Sequence, residues 1–300
     1  MPDIDLLIVV FGLGVGFLVG TTGMGGGSLM TPLLIIVFGI KPVLAIGTDL
    51  AYAAVTKTVG GWQHFRQGTV DLGIALWLGV GSIPGALVGV WLLGRIEDAY
   101  GSSFDTIVLV MVAVALFVTS VAVLARALFV RDVASRERTT VTLDRRHKAA
   151  AIGIGVAVGI VLGVTSAGSG ALIALGLILV FRLTPHRVVG TDVFHAAILL
   201  WVAGAAHFAS GNVDVGLALN ILIGSVPGVW IGSKVAMRLP AGGLRPALGI
   251  VLFASAMGLL SKAGADIPPA AFVAVPLALV ALVWLVHVIR RPRVPAVEAA

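Results

Sequence analysis

Apolar runs separated by short polar breaks follow one another along almost the whole chain. Most of them approach the ~20 residues that a helix needs to cross the core of a bilayer. The pattern therefore predicts an all-α polytopic membrane protein with about 8–10 membrane segments. Only 11% of the residues are charged, against roughly 25% in soluble domains, which supports this class. The runs are 4–20, 28–40, 43–65, 72–94, 106–125, 149–163, 171–181, 188–209, 213–236, 246–261 and 270–289.

The chain contains an internal repeat. Shifted by 143 positions, Phe17–Ile96 aligns without a gap on Ile160–Leu239, with 31 identical pairs in 80 positions. Duplication of an apolar chain is typical of secondary transporters. The predicted units are a first transmembrane repeat at 4–125, a basic cytoplasmic linker at 126–148, a second repeat at 149–268 and an extra C-terminal helix at 269–289. The informative matches are Gly25/Gly168, Gly27/Gly170, Pro42/Pro185, Gly47-Thr48-Asp49/Gly190-Thr191-Asp192, His64/His207 and Gly81-Ser82/Gly224-Ser225.

Positive charge predicts the orientation of the chain. The predicted linker carries seven Arg and Lys residues, so the positive-inside rule places it in the cytoplasm. Counting the runs in both directions then puts the N-terminus outside and the C-terminus inside the cell (inner or plasma) membrane. Because each half holds five runs, an odd number, the second half enters from the opposite side. The prediction is an inverted-topology repeat.

Composition and motifs exclude several function classes. There is no cysteine, so disulfides and thiolate metal sites are excluded. Most Arg and Lys residues lie in short connections between apolar runs, which indicates membrane orientation and no nucleic-acid partner. No Gly-Lys-Ser/Thr motif for nucleotide binding is present. We expect a small anion, the bilayer and a coupling proton as partners, with no cofactor and no metal.

Two glycine-rich breaks, 20–27 and 163–170, precede runs too short to span, Ser28–Ile40 and Ala171–Phe181. Partial helices that meet inside the membrane would explain both, and their free N–H groups would bind an anion. The alternative is that the glycines of the chain only permit close helix packing. We favour this alternative for five glycines that lie before the breaks: Gly12, Gly14, Gly16, Gly153 and Gly155. The predicted substrate-binding residues of the breaks are Gly25, Gly26, Gly27, Ser28, Thr165, Ser166, Gly168, Ser169 and Gly170.

The repeated Gly-Thr-Asp motif places a carboxylate inside each half. Thr48 and Thr191 are predicted to cap the long helices that follow and to contribute to substrate binding. Asp49 and Asp192 have two interpretations that stay open here. They either complement a helix dipole or take up protons that drive transport.

Two unpaired ionisable residues lie in the middle of apolar runs. Lys57 has Leu200 as its counterpart in the second half, and it is predicted to attract the anion or to pair with Asp49. His195 is a candidate proton relay, in addition to the two aspartates.

These residues resemble the sulfite exporter TauE/SafE family of membrane permeases. The resemblance rests on Gly23-Met-Gly-Gly-Gly-Ser28 followed by Pro32, on Ala45-Ile-Gly-Thr-Asp49 and on their degenerate second copies, and it covers roughly residues 6 to 262. It implies transport, most simply export, of small sulfur oxyanions or organosulfonates such as sulfite or sulfoacetate.

The leading hypothesis is therefore a secondary transporter and not an enzyme, working by alternating access at the interface of the repeats. One alternative is an anion channel, or a cation transporter that uses Asp49 and Asp192. A remote alternative is an intramembrane hydrolase with Ser169 as nucleophile and His195 or His207 as base.

Overall fold

In a computed structural model, the chain folds into helices joined by short connections. The structure describes residues 4–22, 27–129, 143–236 and 241–289. Its helices are α1 (Leu6–Thr22), α2 (Gly27–Val37), α3 (Pro42–Arg66), α4 (Leu72–Tyr100), α5 (Phe104–Phe129), α6 (Arg145–Thr165), α7 (Ser169–Leu179), α8 (Pro185–Ala209), α9 (Val215–Ala236), α10 (Ala241–Lys262) and α11 (Ala271–Ile289), with a 3₁₀ turn at Gly101–Ser103. The described residues contain no strand, so the predicted all-α class is confirmed.

Four helical stretches of the described chain are long and apolar enough to cross a membrane. They are Leu72–Leu128, which holds both α4 and α5, Arg145–Thr165, Pro185–Ala209 and Val215–Val235. Large apolar side chains cover the outside of the molecule, where a lipid environment accounts for them. Leu76, Trp91 and Trp284, for example, are 68%, 60% and 65% exposed.

The two runs predicted to be too short for spanning are short helices. α2 and α7 each hold 11 residues, a length of about 16 Å against the ~30 Å of a bilayer core. Each follows a glycine-rich break, and each is followed by the long helix of its own half. The repeat is therefore visible in the order and the lengths of the helices.

Helix starts differ from the prediction at the Gly-Thr-Asp motif. α3 and α8 begin earlier, with Pro42 and Pro185 in the first turn, where a missing N–H and a fixed φ favour proline. Thr48 and Thr191 lie inside these helices, so the prediction that they cap them is wrong. Asp71 does cap α4, because its side chain accepts a hydrogen bond from the Ile74 N–H at 3.1 Å.

Helices extend into both ends of the predicted central linker. α5 continues through Arg126 to Phe129, and α6 already begins at Arg145. The helices thus include both ends of the predicted 126–148 segment, and residues 130–142 lie outside the described residues. Polar residues can extend a helix past its apolar run, and arginine, which stands at both of these positions, is a good helix former.

Glycine stripes join the two halves. α1 packs along α9, and α6 packs along α4, so each half supplies the partner of the other half's first helix. A Cβ at Gly16 would lie 2.4 Å from the Ser225 carbonyl oxygen, and one at Gly159 would lie 2.3 Å from that of Ser82. The backbones therefore touch, as small-residue spacing permits in membrane helices. The stripe residues are Gly12, Gly16, Gly20, Gly224, Gly228 and Gly232 in one pair and Gly155, Gly159, Gly163, Gly81, Gly85 and Gly89 in the other.

The packing interpretation is thus right for Gly12, Gly16 and Gly155. A Cβ added at Gly14 or Gly153 would meet no atom within 4 Å, so neither glycine is needed for close packing. α3 and α8 cross between the two glycine-packed pairs, and the main core of the protein surrounds them. Among its fully buried side chains are Leu34, Ile46, Leu50, Tyr52, Leu116 and Leu162.

Candidate functional site

The start of α2 meets the second glycine-rich break. The Ser28 hydroxyl, in the first turn of α2, accepts a long hydrogen bond of 3.4 Å from the backbone N–H of Gly168. Gly168 is the N-cap of α7. The N-terminal ends of the short helices, one from each half, therefore lie against each other, as the sequence predicts for an anion site.

The second break has a tightly shaped backbone. Ser166 ends α6 in the left-handed conformation with φ of 56°, and Gly168 follows with φ of 93°. A Cβ at Gly168 would lie 3.0 Å from the Thr119 hydroxyl of α5. Both the dihedral angle and the space therefore require glycine at this position.

Asp49 is fully buried in a cluster of hydroxyl groups. Its Oδ2 atom is hydrogen-bonded to Thr31 Oγ1 at 2.6 Å and to Ser166 Oγ at 2.8 Å. The two hydroxyl oxygens are themselves 2.6 Å apart. Thr31 belongs to α2, Asp49 to α3 and Ser166 to the second break, so this cluster also joins the two halves. Asp49 Oδ1 has no hydrogen-bond partner.

Asp192, the counterpart of Asp49, has different neighbours. Its Oδ2 lies 4.0 Å from Lys57 Nζ, and both side chains are 10% exposed. Lys57 therefore pairs with Asp192 across the α3–α8 contact, and the predicted alternative of a pair with Asp49 is wrong.

His195 lies one turn from Asp192 on α8 and contacts α4. Its Nε2 is 2.8 Å from the Ser82 hydroxyl, whereas its Nδ1 has no partner. The pair lines an apolar pocket of about 480 Å³ between α4 and α8. His195, a predicted proton relay, therefore lies at the wall of this pocket.

The polar groups of the two halves correspond position by position. By the repeat, Asp49, Tyr52 and Ser225 match Asp192, His195 and Ser82. Tyr52 is completely buried, and neither its hydroxyl nor that of Ser225 has a hydrogen-bond partner in standard geometry. Each half thus places an aspartate and a polar aromatic side chain, Tyr52 or His195, one turn apart on its long helix. The halves have diverged, since only one of them carries a lysine.

Thr48 and Thr191 have matching structural partners. Thr48 Oγ1 accepts a hydrogen bond of 3.0 Å from the backbone N–H of Asp214, and Thr191 Oγ1 accepts one of 2.9 Å from that of Asp71. Both threonines are fully buried. These two hydroxyls, predicted to bind substrate, therefore lie against the loops that precede α9 and α4.

The other predicted binding residues have mixed positions. Gly25 and Gly26 lie outside the described residues, Gly27 begins α2, and Ser169 begins α7. Thr165 bonds the Val161 carbonyl of its own helix at 2.7 Å and so shapes the break. A Cβ at Gly170 would lie 3.4 Å from Asp192 Oδ2, which places the start of α7 beside that carboxylate. Within the described ranges, no cluster of His, Asp and Glu could hold a metal ion.

Sequence reasoning missed Thr31, Tyr52, Ser82 and Ser225 as members of the site. Thr31 follows Ser28 by one helical turn, which puts both on one face of α2. Ser82 and Ser225 are an identical pair of the repeat, and an i, i+3 spacing links each aspartate to Tyr52 or His195. These signals were present, but only the packing of the helices shows which faces meet.

Comparison with known proteins agrees with these features. The model of the family described as sulfite exporter TauE/SafE matches residues 8–259. The chain is 36% identical over 253 residues to "Probable membrane transporter protein YjnA" of Bacillus subtilis (strain 168), covering 84% of this chain and 98% of that protein. It is 28% identical to "Probable membrane transporter protein YdhB" of the same organism, over 81% of this chain and 94% of the relative.

A "Probable membrane transporter protein" of Xylella fastidiosa (strain 9a5c) is 26% identical over 88% of this chain and 98% of its own length. No solved structure matches the chain significantly. The family match spans the apolar repeats and both breaks, and the relatives are matched over nearly their whole lengths. The chain therefore belongs to the TauE/SafE sulfite exporter family and is a membrane transporter.

Proposed function

We propose that this chain is a secondary transporter that exports a small anion, such as sulfite or an organosulfonate, in exchange with or together with protons. The observation that carries the proposal is the meeting of the α2 and α7 N-terminal ends at Ser28 and Gly168. Helix N-termini present unsatisfied N–H groups and a partial positive charge, so a pair of them favours an anion.

The chemistry of the site supports a small oxyanion. Serine and threonine hydroxyls and backbone N–H groups surround the breaks, and these donors suit the oxygen atoms of a sulfonate or sulfite group. Lys57 is a buried cation within the same core. The name of the family supports the same substrate class.

Alternating access at the repeat interface is supported by how the halves contact each other. The glycine-packed pairs α1–α9 and α4–α6 each combine one helix from either half, while α3 and α8 cross between them. Such an arrangement gives a bundle that rocks around a central site. The inverted orientation of the halves, with the N-terminus outside and the C-terminus inside, belongs to this proposal.

Proton coupling is supported by the two buried aspartates and by His195. An ionised carboxylate beside an anion site repels the substrate, so a carboxyl group there that gains and loses a proton links the two movements. Asp49 lies one hydrogen bond from the second break, and Asp192 lies beside the start of α7.

The test is flux in proteoliposomes that hold the purified protein. We expect sulfite or sulfoacetate movement that an imposed pH gradient accelerates, and we expect Lys57→Met to lose most of it. Liposomes without protein are the control for leakage. Flux that ignores the gradient would instead identify an anion channel. Silence with both anions, together with cation movement that Asp49→Asn abolishes, would identify a cation transporter.

A further inference from the structure

We propose that Asp49, Thr31 and Ser166 form a proton-binding site, in which the Asp49 carboxyl group carries the proton in this conformation. This inference rests on the proposed function for its role in transport, but the site itself rests on geometry. It assigns different tasks to the two aspartates and includes Thr31, which has had no role so far.

Three short contacts between oxygen atoms require three protons. Thr31 Oγ1, Ser166 Oγ and Asp49 Oδ2 form a triangle with sides of 2.6, 2.8 and 2.6 Å. Each side is as short as a strong O–H···O hydrogen bond, so each needs a proton. The two hydroxyl groups supply only two. A proton on Asp49 Oδ2 is the third, and it completes a ring in which every group donates once and accepts once.

A negative charge on Asp49 would have no cationic partner among the described residues. The residue is fully buried, and its Oδ1 atom has no hydrogen-bond partner. In the described residues, no Lys, Arg or His makes an ion pair with it. An isolated buried carboxylate is very costly, whereas a neutral carboxyl group with one bare carbonyl oxygen costs far less.

Ionisable groups on the packed helices are engaged elsewhere. α2 carries no ionisable residue, and Tyr52 lies one turn from Asp49 on α3. On α8, His207 bonds the Gly163 carbonyl at 2.8 Å. The remaining ionisable groups on helices that contact α3 have other partners or lie near helix ends. Lys57 pairs with Asp192, His195 contacts Ser82, Arg187 pairs with Asp71 and Lys234 lies over Trp230. The groups near helix ends are His64, Arg66, Asp105, Arg126 and His186.

Asp192 is also buried and its Oδ1 also lacks a hydrogen-bond partner, but it has Lys57 as a cationic partner. By the repeat, the counterpart of Thr31 is Ala174 and that of Ser166 is Gly23, and neither has a hydroxyl. The geometry therefore favours an ionised Asp192 and a protonated Asp49. The asymmetry follows from three differences between the halves, Thr31/Ala174, Gly23/Ser166 and Lys57/Leu200.

Loss of the proton would act on the contact between the halves. An ionised Asp49 would draw both hydroxyl protons to itself, which leaves the Thr31 and Ser166 oxygens facing each other at 2.6 Å without a proton between them. Their repulsion would separate α2 from the second break. Release of the proton thus loosens the meeting point of the breaks, where the anion is proposed to bind.

Infrared difference spectroscopy of the reconstituted protein tests the site without any transport assay. We expect a carbonyl stretch from a protonated carboxylic acid that Asp49→Asn removes and Asp192→Asn leaves. Thr31→Val keeps the side-chain shape and removes one ring member, so the band should shift to higher frequency. Thr56→Val is the matched control, since the Thr56 hydroxyl bonds only carbonyl groups of its own helix, and it should leave the band in place.

The inference is overturned if the band is absent, or if it survives Asp49→Asn. If that variant does not fold, Thr31→Val and Ser166→Ala decide, and an unshifted band in both would equally overturn it. Sulfite flux plays no part in this readout. Failure of the flux assay would therefore remove the proposed substrate and leave the proton site standing, whereas the loss of the band would do the reverse.

Discussion

The hydroxyl of Thr48 lies 3.0 Å from the backbone nitrogen of Asp214, and this hydrogen bond ties α3 of the first half to the loop that begins α9 in the second. The same bond recurs between Thr191 and Asp71 at 2.9 Å. Each Gly-Thr-Asp motif therefore combines two tasks. Its threonine fastens the opposite half, and its aspartate lies in the core one residue later.

We expect Thr48→Val to destabilise the protein by about 1–3 kcal/mol, because the Asp214 N–H loses its partner in a partly buried position. Thr48→Ser keeps the hydroxyl and should restore most of the loss. The measurement is the thermal unfolding midpoint in detergent micelles. Equal midpoints for Thr48→Val and the unaltered protein would show that this bond contributes nothing.

Gly16→Ala should disturb the contact of α1 with α9. The new Cβ would lie 2.4 Å from the Ser225 carbonyl oxygen, so the helices must separate, at a cost of about 1–3 kcal/mol. Gly14→Ala, two residues away, meets no atom within 4 Å and is the matched control. It should be neutral or slightly stabilising, since alanine is the better helix former by about 1 kcal/mol. Similar unfolding midpoints for both variants would contradict the tight packing of this stripe.

Lys57 and Asp192 should show strong energetic coupling. Lys57→Met or Asp192→Asn alone leaves one buried charge without its partner, which costs about 3–5 kcal/mol. The double variant removes both charges and should recover a large part of that loss. A double-mutant cycle of unfolding free energies measures the coupling. Additive losses would mean that the 4.0 Å pair is not an interacting one.

Gly168→Ala should impair both stability and transport. Its φ of 93° costs an alanine about 1–2 kcal/mol, and the new Cβ would lie 3.0 Å from the Thr119 hydroxyl. Gly39→Ala introduces a comparable strain at φ of 66° but meets no atom within 4 Å. We expect both variants to unfold earlier and only Gly168→Ala to lose flux. Normal flux in Gly168→Ala would show that the second break is not part of the transport path.

Much of the fold follows from the sequence because its signals are local. The apolar runs and the two short runs depend on neighbouring residues and on the ~20-residue length of a bilayer span, and the repeat is visible when the sequence is compared with itself at a shift of 143 positions. α11 at Ala271–Ile289 lies within one residue of the predicted run. The ends of α5 and α6 were less predictable, because polar residues also continue a helix when no breaker intervenes.

The site was predictable in part. The sequence indicated that the breaks meet and that buried aspartates lie near them, because both motifs recur in both halves. It did not show that Lys57 faces Asp192 and not Asp49, since Asp49 lies two turns earlier on Lys57's own helix and Asp192 lies on α8, which packs against that helix. A lysine side chain selects its partner by which helix face it points to, and that is a property of the packed bundle.

By itself, the sequence determined a duplicated, helical membrane transporter with glycine-rich interruptions, because hydrophobicity, charge and repetition can be read from the order of the residues alone. The tertiary structure alone decided that Thr31 and Ser166, 135 positions apart, enclose the same carboxyl oxygen, and that Thr48 and Thr191 fasten loops instead of capping helices. A hydrogen bond is set by distances of about 3 Å in space, and distances of that kind exist only once the helices have packed.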